Sequence, residues 1–366
     1  MKIINVVGAR PNFMKIAPLL KEMKEEKLLE PLLLHTGQHY DQSMSENFFR
    51  ELMIPEPDIY LGVGSDTHAK QVAKIMSKFE DVCLEEKPDA VLVVGDVNST
   101  MACSLVASKM GIKVVHMEAG LRSFDRSMPE EINRIVTDAL ADLLLTPSED
   151  ADRNLLHEGI PEHKIRRVGN ITIDTLFHFL PLAEKRTILQ KHHLEPKNYV
   201  LVTLHRPSNV DDPDRLRSVM EALSNISDWL PVIFPVHPRT LKNMVEFGIL
   251  DNYSQKKGMI LEEALGYLDF QKLMKDSKLV ITDSGGIQEE TTVLGIPCIT
   301  LRENTERPVT VELGTNELAG HDMGRLLSLA RKAIEGSWKK GTIPPLWDGK
   351  TSKRAVSAIC EMFIKN

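Results

Sequence analysis

Short apolar runs alternate with longer stretches of helical spacing along most of the 366 residues. In the first half the runs are KIINVV, LLLHT, IYLGV, AVLVVGD, KVVHMEAG and DLLLTPS, with a helix expected from about Asn12. Runs lacking polar alternation belong to strands buried on both faces, and strands separated by helices form a parallel sheet wrapped on both sides. The helix ends are marked: Ser148 is placed to cap SEDADRNLLHEG, Gly159 to stop it, and Pro129 opens PEEINRIVTDAL as a first-turn proline does. A second series, YVLVT, PVIFPVH, MILEE, KLVIT and PCITL, repeats the arrangement, and residues 160–198 read as a connection between the two. The expected fold is α/β, with two Rossmann-like doubly wound domains facing a central cleft. The first spans 1–169, the second 170–349, and a helix over 350–366 is expected to return to the first. Ligands of such sheets sit at the C-terminal strand ends.

Length alone points to two cores rather than one. At 42% hydrophobic and 27% charged, with no low-complexity tract, the chain reads as soluble and globular. A formal charge of −7 argues against a nucleic-acid surface, so an anionic ligand has to be met by specific residues. Cys83, Cys103, Cys298 and Cys360 are scattered without a CxxC pair, which suggests neither zinc nor disulfides and fits a reducing compartment. The chain enters a strand at once, without a signal-peptide pattern, and no run reaches ~18 uninterrupted apolar residues. A cytoplasmic protein without a membrane segment is expected.

The chemistry is concentrated at strand ends. KLVIT runs into Asp283, Ser284, Gly285 and Gly286, where bare amides and a hydroxyl meet a helix start, as a seat for a diphosphate requires. Glu289 and Glu290, farther into that helix, suit ribose hydroxyls better than phosphate. The first loop, VVGARPNF, lacks the G-x-G-x-x-G fingerprint, which disfavours a nicotinamide enzyme; it offers Arg10 and, a turn later, Lys15 to phosphate. Asp96 and Glu118 end first-domain strands and Glu131 lies just inside the PEEINR helix. Acids so placed serve charge or proton transfer unless they are caps or ion pairs. His205 with Arg206, and His237, follow second-domain strands and can meet phosphate or carry protons. Tyr267 and Phe270 either stack on a base or pack into the core.

GARPNFMKIAP (8–18), TGQH (36–39), GDVNST (95–100), HMEAGLRS (116–123), PEEINR (129–134), TDSGGIQEE (282–290) and TERP (305–308), in this order, closely resemble the non-hydrolysing UDP-N-acetylglucosamine 2-epimerases. The resemblance spans almost the whole chain. It implies two Rossmann-like halves like those of GT-B glycosyltransferases, a homodimer, and reversible conversion of UDP-GlcNAc to UDP-ManNAc without nicotinamide or metal cofactor. Asp96, Glu118 and Glu131 match the family's acid/base carboxylates and His205 its essential histidine. Arg10, Ser284 and Glu290 match UDP contacts, Gly285 and Gly286 the phosphate-facing backbone, and Phe270 the aromatic uracil position. Lys15, Arg122, Asn170, Arg302 and Arg307 lie in or beside matched motifs as further substrate ligands. Gln38, Glu131, Arg206 and His237 match four positions at which bacterial members bind an activating second UDP-GlcNAc, whereas Asp41 and His68 stand where a glutamine and an arginine are expected. The family's His-Arg-Arg-Glu-Asn run reads HRPSN here, a departure at the rim of the second domain.

Which acid serves which face of C2 is left open by the sequence. Three alternatives share the same nucleotide site: a GT-B glycosyltransferase, a hydrolysing epimerase that lets water add to C1, and a non-catalytic nucleotide-sugar-binding regulator.

Overall fold

The computed structural model describes residues 1–38 and 56–364. The chain divides into two compact units, the first formed by Met1–His178 with the chain from Pro345 onward, the second by Phe179–Pro344. Unit 1 contains β1 (Lys2–Val7), α1 (Arg10–Glu25), β2 (Glu30–His35), β3 (Ile59–Tyr60), α2 (His68–Glu86), β4 (Ala90–Val94), α3 (Asn98–Lys109), β5 (Lys113–Met117), α4 (Pro129–Leu140), β6 (Leu143–Thr146), α5 (Glu149–His157) and β7 (Ile165–Arg167). The helix α6 (Ile171–Ala183) then carries the chain into unit 2. There follow β8 (Val200–Thr203), α7 (Pro213–Ser227), β9 (Val232–Pro235), α8 (Pro238–Glu246), β10 (Met259–Glu262), α9 (Tyr267–Asp276), β11 (Leu279–Thr282), α10 (Gly285–Leu294), β12 (Cys298–Thr300), β13 (Asn316–Leu318) and α11 (Met323–Ile334). The last helix, α12 (Thr351–Phe363), belongs to unit 1.

Both sheets are parallel throughout, ordered β3-β2-β1-β4-β5-β6-β7 in unit 1 and β10-β9-β8-β11-β12-β13 in unit 2. In each, the strand order reverses at one place, between β1 and β4 and between β8 and β11, which opens a crevice at the C-terminal strand ends. The strands are apolar on both faces because both faces are covered. Along β8, Val200 and Val202 join one buried cluster with α7 and α11, while Tyr199 and Leu201 join another with Leu273 and Met274 of α9. Successive residues of a strand point to opposite faces, so a continuous apolar run is what such a position demands.

Local signals and structure differ in a few places. The first helix starts at Arg10 rather than Asn12, because Asn12 turns its side chain back to accept from the amides of Gly8 (3.1 Å) and Ala9 (2.9 Å). Ser148 does precede α5, but its hydroxyl is buried and makes no cap bond; Glu149, Asp150 and Asp152 supply the negative charge at that helix start. IYLGV pairs only through Ile59–Tyr60, at one edge of its sheet, and two further edge strands, β7 and β13, carry too few apolar residues to be anticipated. Among the described residues no helix is long and apolar enough to cross a membrane.

The closing helix of unit 1 is tied down by buried polar groups. Asp174 of α6 caps α12 by accepting from the amides of Thr351 (3.0 Å) and Ser352 (2.8 Å) and from the Ser352 hydroxyl (2.8 Å). Just before it, the indole of Trp347 is buried and donates to the carbonyl of Pro147 at 2.9 Å.

Candidate active site

In unit 1 the loops after β1, β4 and β5 emerge side by side, since these strands are neighbours. Glu118, the first residue beyond β5, is buried and held at φ 69°, a left-handed conformation that a side chain adopts only when its surroundings impose it. One of its oxygens, Oε2, pairs with Lys15 Nζ; the other, Oε1, is buried without a hydrogen-bond partner. Gly95 stands beside this pair at φ +70°, where a Cβ would be 3.5 Å from Glu118 Oε2 and 3.6 Å from Lys15 Nζ. The space would tolerate that atom; the backbone angle is what calls for glycine.

Asp96 and Glu131 are instead joined through Arg134, whose guanidinium pairs with Asp96 Oδ2 and lies 2.7 Å from Glu131 Oε2. Glu131 is saturated. It accepts from the Ser123 amide and hydroxyl, both at 3.0 Å, from the Phe124 amide at 2.8 Å and from Arg134 Nε at 2.9 Å. Burial alone would raise its carboxyl, but the Ser123 amide and Arg134 outweigh that and hold it below the ordinary value. Asp96 is about one-third exposed, with Asn133 donating to its carbonyl at 2.9 Å.

In unit 2 the loops after β8 and β11 meet at the crevice. Asp283 is fully buried, and its carboxylate gathers the amides of His205 (3.1 Å) and Arg206 (2.9 Å), Asn209 Nδ2 (3.2 Å) and His205 Nδ1 (3.1 Å). Burial opposes its ionisation, and His205, Arg206 and Asn209 outweigh burial, so Asp283 stays below the ordinary range. The His205 and His237 rings lie 5.5 Å apart. His237 Nδ1 accepts from the Arg239 amide at 3.2 Å, and burial, then His205, lower its imidazole. Next along the chain, Ser284 precedes α10 without spending its hydroxyl on a cap bond, leaving it and the first amides of a ten-residue helix for an anion. Gly285 is packed so closely that a Cβ would meet Glu306 Oε1 at 2.6 Å and Arg307 Nη1 at 2.8 Å, whereas a Cβ on Gly286 would meet nothing within 4 Å.

Glu290, in the second turn of α10, accepts from Gln271 Nε2 at 2.8 Å and the Tyr267 hydroxyl at 3.3 Å. Burial pushes its carboxyl up to about 8, with Gln271 opposing and Glu289 adding to the rise. Arg307 is engaged internally, 2.6 Å from both Glu289 and Glu306, and Glu306 is held far down by Arg307 and Arg302 against its burial. Phe270 packs half-buried against the cluster of Leu201 and Ile233. Arg206 Nε donates to the Asp283 carbonyl at 2.9 Å, and Gln38 Oε1 accepts from Ser99 Oγ at 2.7 Å. Arg122 is fully occupied by Glu158 and Asp138, while Asn170 accepts from the Thr172 amide at 2.9 Å at the start of α6. Arg10 opens α1, and its side chain, like His39 and Asp41, lies outside the described residues. The sequence placed Asp283 in the glycine turn without giving its side chain a role, and it did not single out Arg134, whose partner Asp96 lies 38 positions away.

Unit 1 therefore offers a buried carboxylate with an open oxygen and a second carboxylate pair fixed by an arginine, and unit 2 a glycine turn at a helix start beside an oriented histidine. A family profile described as UDP-N-acetylglucosamine 2-epimerase matches residues 21–360. The chain is similar to the UDP-N-acetylglucosamine 2-epimerase of Methanocaldococcus jannaschii, 43% identical over 367 residues that cover 97% of this chain and 98% of that one. It is also similar to the UDP-2,3-diacetamido-2,3-dideoxy-D-glucuronate 2-epimerase of Pseudomonas aeruginosa, 41% identical over 337 residues, 91% of this chain and 92% of that one. The crystal structure of the M. jannaschii UDP-GlcNAc 2-epimerase in complex with UDP-GlcNAc and UDP superposes with a TM-score of 0.89 at 42% identity, covering 99% of this chain and 100% of that one. Site chemistry, fold and these likenesses agree: the chain belongs to the UDP-N-acetylglucosamine 2-epimerase family.

Proposed function

We propose that the protein interconverts UDP-GlcNAc and UDP-ManNAc by inverting C2 of the sugar. The observation that carries this reading is Glu118, a buried carboxylate with one oxygen on Lys15 and the other unpartnered. The C2 proton is not adjacent to a carbonyl, so no ordinary base removes it from the intact substrate. The C1–O bond breaks first and its electron pair leaves on the UDP oxygen. The oxocarbenium-like centre at C1 then acidifies C2–H, a carboxylate takes that proton, and a 2-acetamidoglucal remains. Re-addition of UDP to C1, with protonation of C2 from the opposite face, gives the epimer. Nothing is oxidised, reduced or hydrolysed in the balance.

The residues divide this work. The Ser284–Gly286 turn and His205 stabilise the departing diphosphate, an effect worth roughly 3–4 kcal/mol for one well-placed donor in a dry site. Glu290 and Phe270 take the ribose and the uracil. Glu118 and Asp96 handle protons on the sugar. A homodimer in the cytoplasm belongs to the same reading, supported by the four buried, unbridged thiols for the compartment and by the family resemblance for the dimer.

The test is an NMR spectrum of UDP-GlcNAc with the protein in deuterated water, without added cofactor and with a chelator present. UDP-ManNAc with deuterium at C2 is the expected product; retention of the C2 proton, or free sugar and UDP as the end products, would sink the mechanism. The 41% identity to the P. aeruginosa relative favours one second reading, in which the substrate is a UDP-2,3-diacetamido-2,3-dideoxy-glucuronate. The ratio of kcat/KM for the two substrates decides between them.

A further inference from the structure

Asp283 has more partners than a turn residue needs. Its side chain is 0% exposed, which for a carboxylate is unfavourable unless its charge is matched by donors. The donors present all come from the loop after β8, and the one side chain among them that can change its protonation is His205, whose Nδ1 lies 3.1 Å from Oδ1. A carboxylate can only accept, so the imidazole proton in that contact sits on Nδ1. His205 Nε2 has no protein partner among the described residues, and the side chain is 41% exposed. The main chain of Asp283 reinforces the arrangement, since its carbonyl accepts from Arg206 Nε at 2.9 Å and its successor begins the phosphate turn. The loops that carry His205 and Ser284 therefore follow paired strands, with Thr203 beside Thr282, and one carboxylate straps them together.

We propose that Asp283 is the positioning residue of the reaction: it fixes His205 with one proton on Nδ1, so that Nε2 faces the leaving diphosphate as the group that gives a proton to the departing oxygen and takes it back on re-addition. This rests on the role given to His205 above. The imidazolium, its second proton taken from solvent before substrate binds, donates from both nitrogens, to Asp283 on one side and to the phosphate oxygen on the other. As the C1–O bond breaks, Nε2 gives its proton to the UDP oxygen that takes the electron pair, and Asp283 keeps the ring as the Nδ1–H tautomer. Re-addition of UDP to C1 returns that proton to Nε2.

Asparagine is the informative replacement. Three donors, the amides of His205 and Arg206 and Asn209 Nδ2, converge on Asp283 Oδ2, so the amide oxygen of Asp283→Asn takes that place and its NH2 faces His205 Nδ1. An NH2 can only donate there. The proton of the neutral ring is then driven to Nε2, which leaves that nitrogen no lone pair to take a proton back from UDP, and the imidazolium loses the carboxylate that faced it.

The experiment is a long-range 1H–15N spectrum of full-length protein labelled at histidine, recorded on the neutral imidazole, with the His205 signal assigned by its loss in His205→Gln. The wild type is expected to show the Nδ1–H tautomer. Asp283→Asn is expected to show the Nε2–H tautomer, to lose about 100-fold or more in kcat, and to hold UDP within about threefold of wild type. Asp283→Glu, which keeps a carboxylate, is expected to retain the Nδ1–H form. A wild-type His205 protonated on Nε2 alone overturns the proposal and needs no variant, so the test survives an Asp283→Asn that fails to fold. An unchanged tautomer or an unchanged kcat in Asp283→Asn overturns it equally. Failure of the epimerase reading shows separately, as a wild-type protein that leaves C2 of UDP-GlcNAc unexchanged while its histidine spectrum is still readable.

Discussion

Glu118, Asp96 and Glu131 are all acids near strand ends, but their oxygens meet different company, and this separates their expected behaviour. Glu118 keeps one buried oxygen free of partners and spends the other on Lys15 alone, so Glu118→Gln removes a proton carrier while its amide oxygen can still accept from Lys15. Turnover is expected to fall by about 10²–10⁴-fold with UDP affinity unchanged; equal losses in kcat and in UDP binding by calorimetry would make Glu118 a binding group. Glu131 accepts four hydrogen bonds, and an amide there would turn its NH2 toward the donors of Ser123 or Phe124. Glu131→Gln is therefore expected to lose about 1–3 kcal/mol of stability in urea unfolding as well as activity. An unchanged unfolding midpoint would remove the clamp role. Glu290 makes a prediction in pH. Its folded carboxyl is raised from 4.5 to about 8, so between those values the folded state holds a proton that the unfolded chain has released. The stability it contributes is complete below 4.5 and is lost as pH rises through 8. Glu290→Gln, neutral at every pH, should gain Tm relative to wild type on going from pH 5 to pH 9, measured by thermal scans; a constant difference would mean that the carboxyl titrates normally.

The start of α10 shows how two adjacent glycines of one motif can have different duties. Gly285 has Glu306 and Arg307 against it, so Gly285→Ala should lower Tm and disturb the neighbouring ion pairs. Gly286 faces open space, so Gly286→Ala should leave Tm unchanged or slightly raised, alanine being favoured over glycine in a helix, while its methyl obstructs a phosphate. Weaker UDP binding without loss of stability in Gly286→Ala is the expected result, and unchanged UDP affinity would place the diphosphate elsewhere. The small-residue turn before α10, like the central strands, was legible in the amino-acid order, the strands because burial on both faces leaves continuous apolar runs. Two of the edge strands, β7 and β13, were not. Ile165–Arg167 and Asn316–Leu318 are three residues each, held by neighbours rather than by their own composition. The acids were legible as acids out of place at strand ends, but not the partners that decide what they do. Arg134 reaches Asp96 across 38 positions and Lys15 reaches Glu118 across 103, and no local spacing encodes such meetings.

The two units are not equal in how the chain supplies them. Unit 2 is one continuous segment, while unit 1 is assembled from both sides of it and closed by α12. Asp174→Ala removes the acceptor for three donors at the start of α12 and should destabilise unit 1 by about 1–3 kcal/mol. UDP binding to the folded protein should change little, since the turn proposed for the diphosphate lies in unit 2. An unaltered unfolding curve would show that α12 is held by packing alone. Activation by UDP-GlcNAc, expected from the resemblance, is checked by starting from purified UDP-ManNAc: a lag abolished by a trace of UDP-GlcNAc is the expected course, and full initial velocity without it would mean that the substitutions around Gln38 have removed the effect. The discontinuity also sets an order of events during synthesis. Residues 179–344 are joined before Trp347, Asp348 or α12, so unit 2 has its whole sequence while the sheet bearing Glu118 and Asp96 still lacks its last helix. A chain ending just after Pro344 should therefore protect unit 2 from protease while unit 1 remains cleavable, and Asp96 and Glu118 become ordered only once α12 is present.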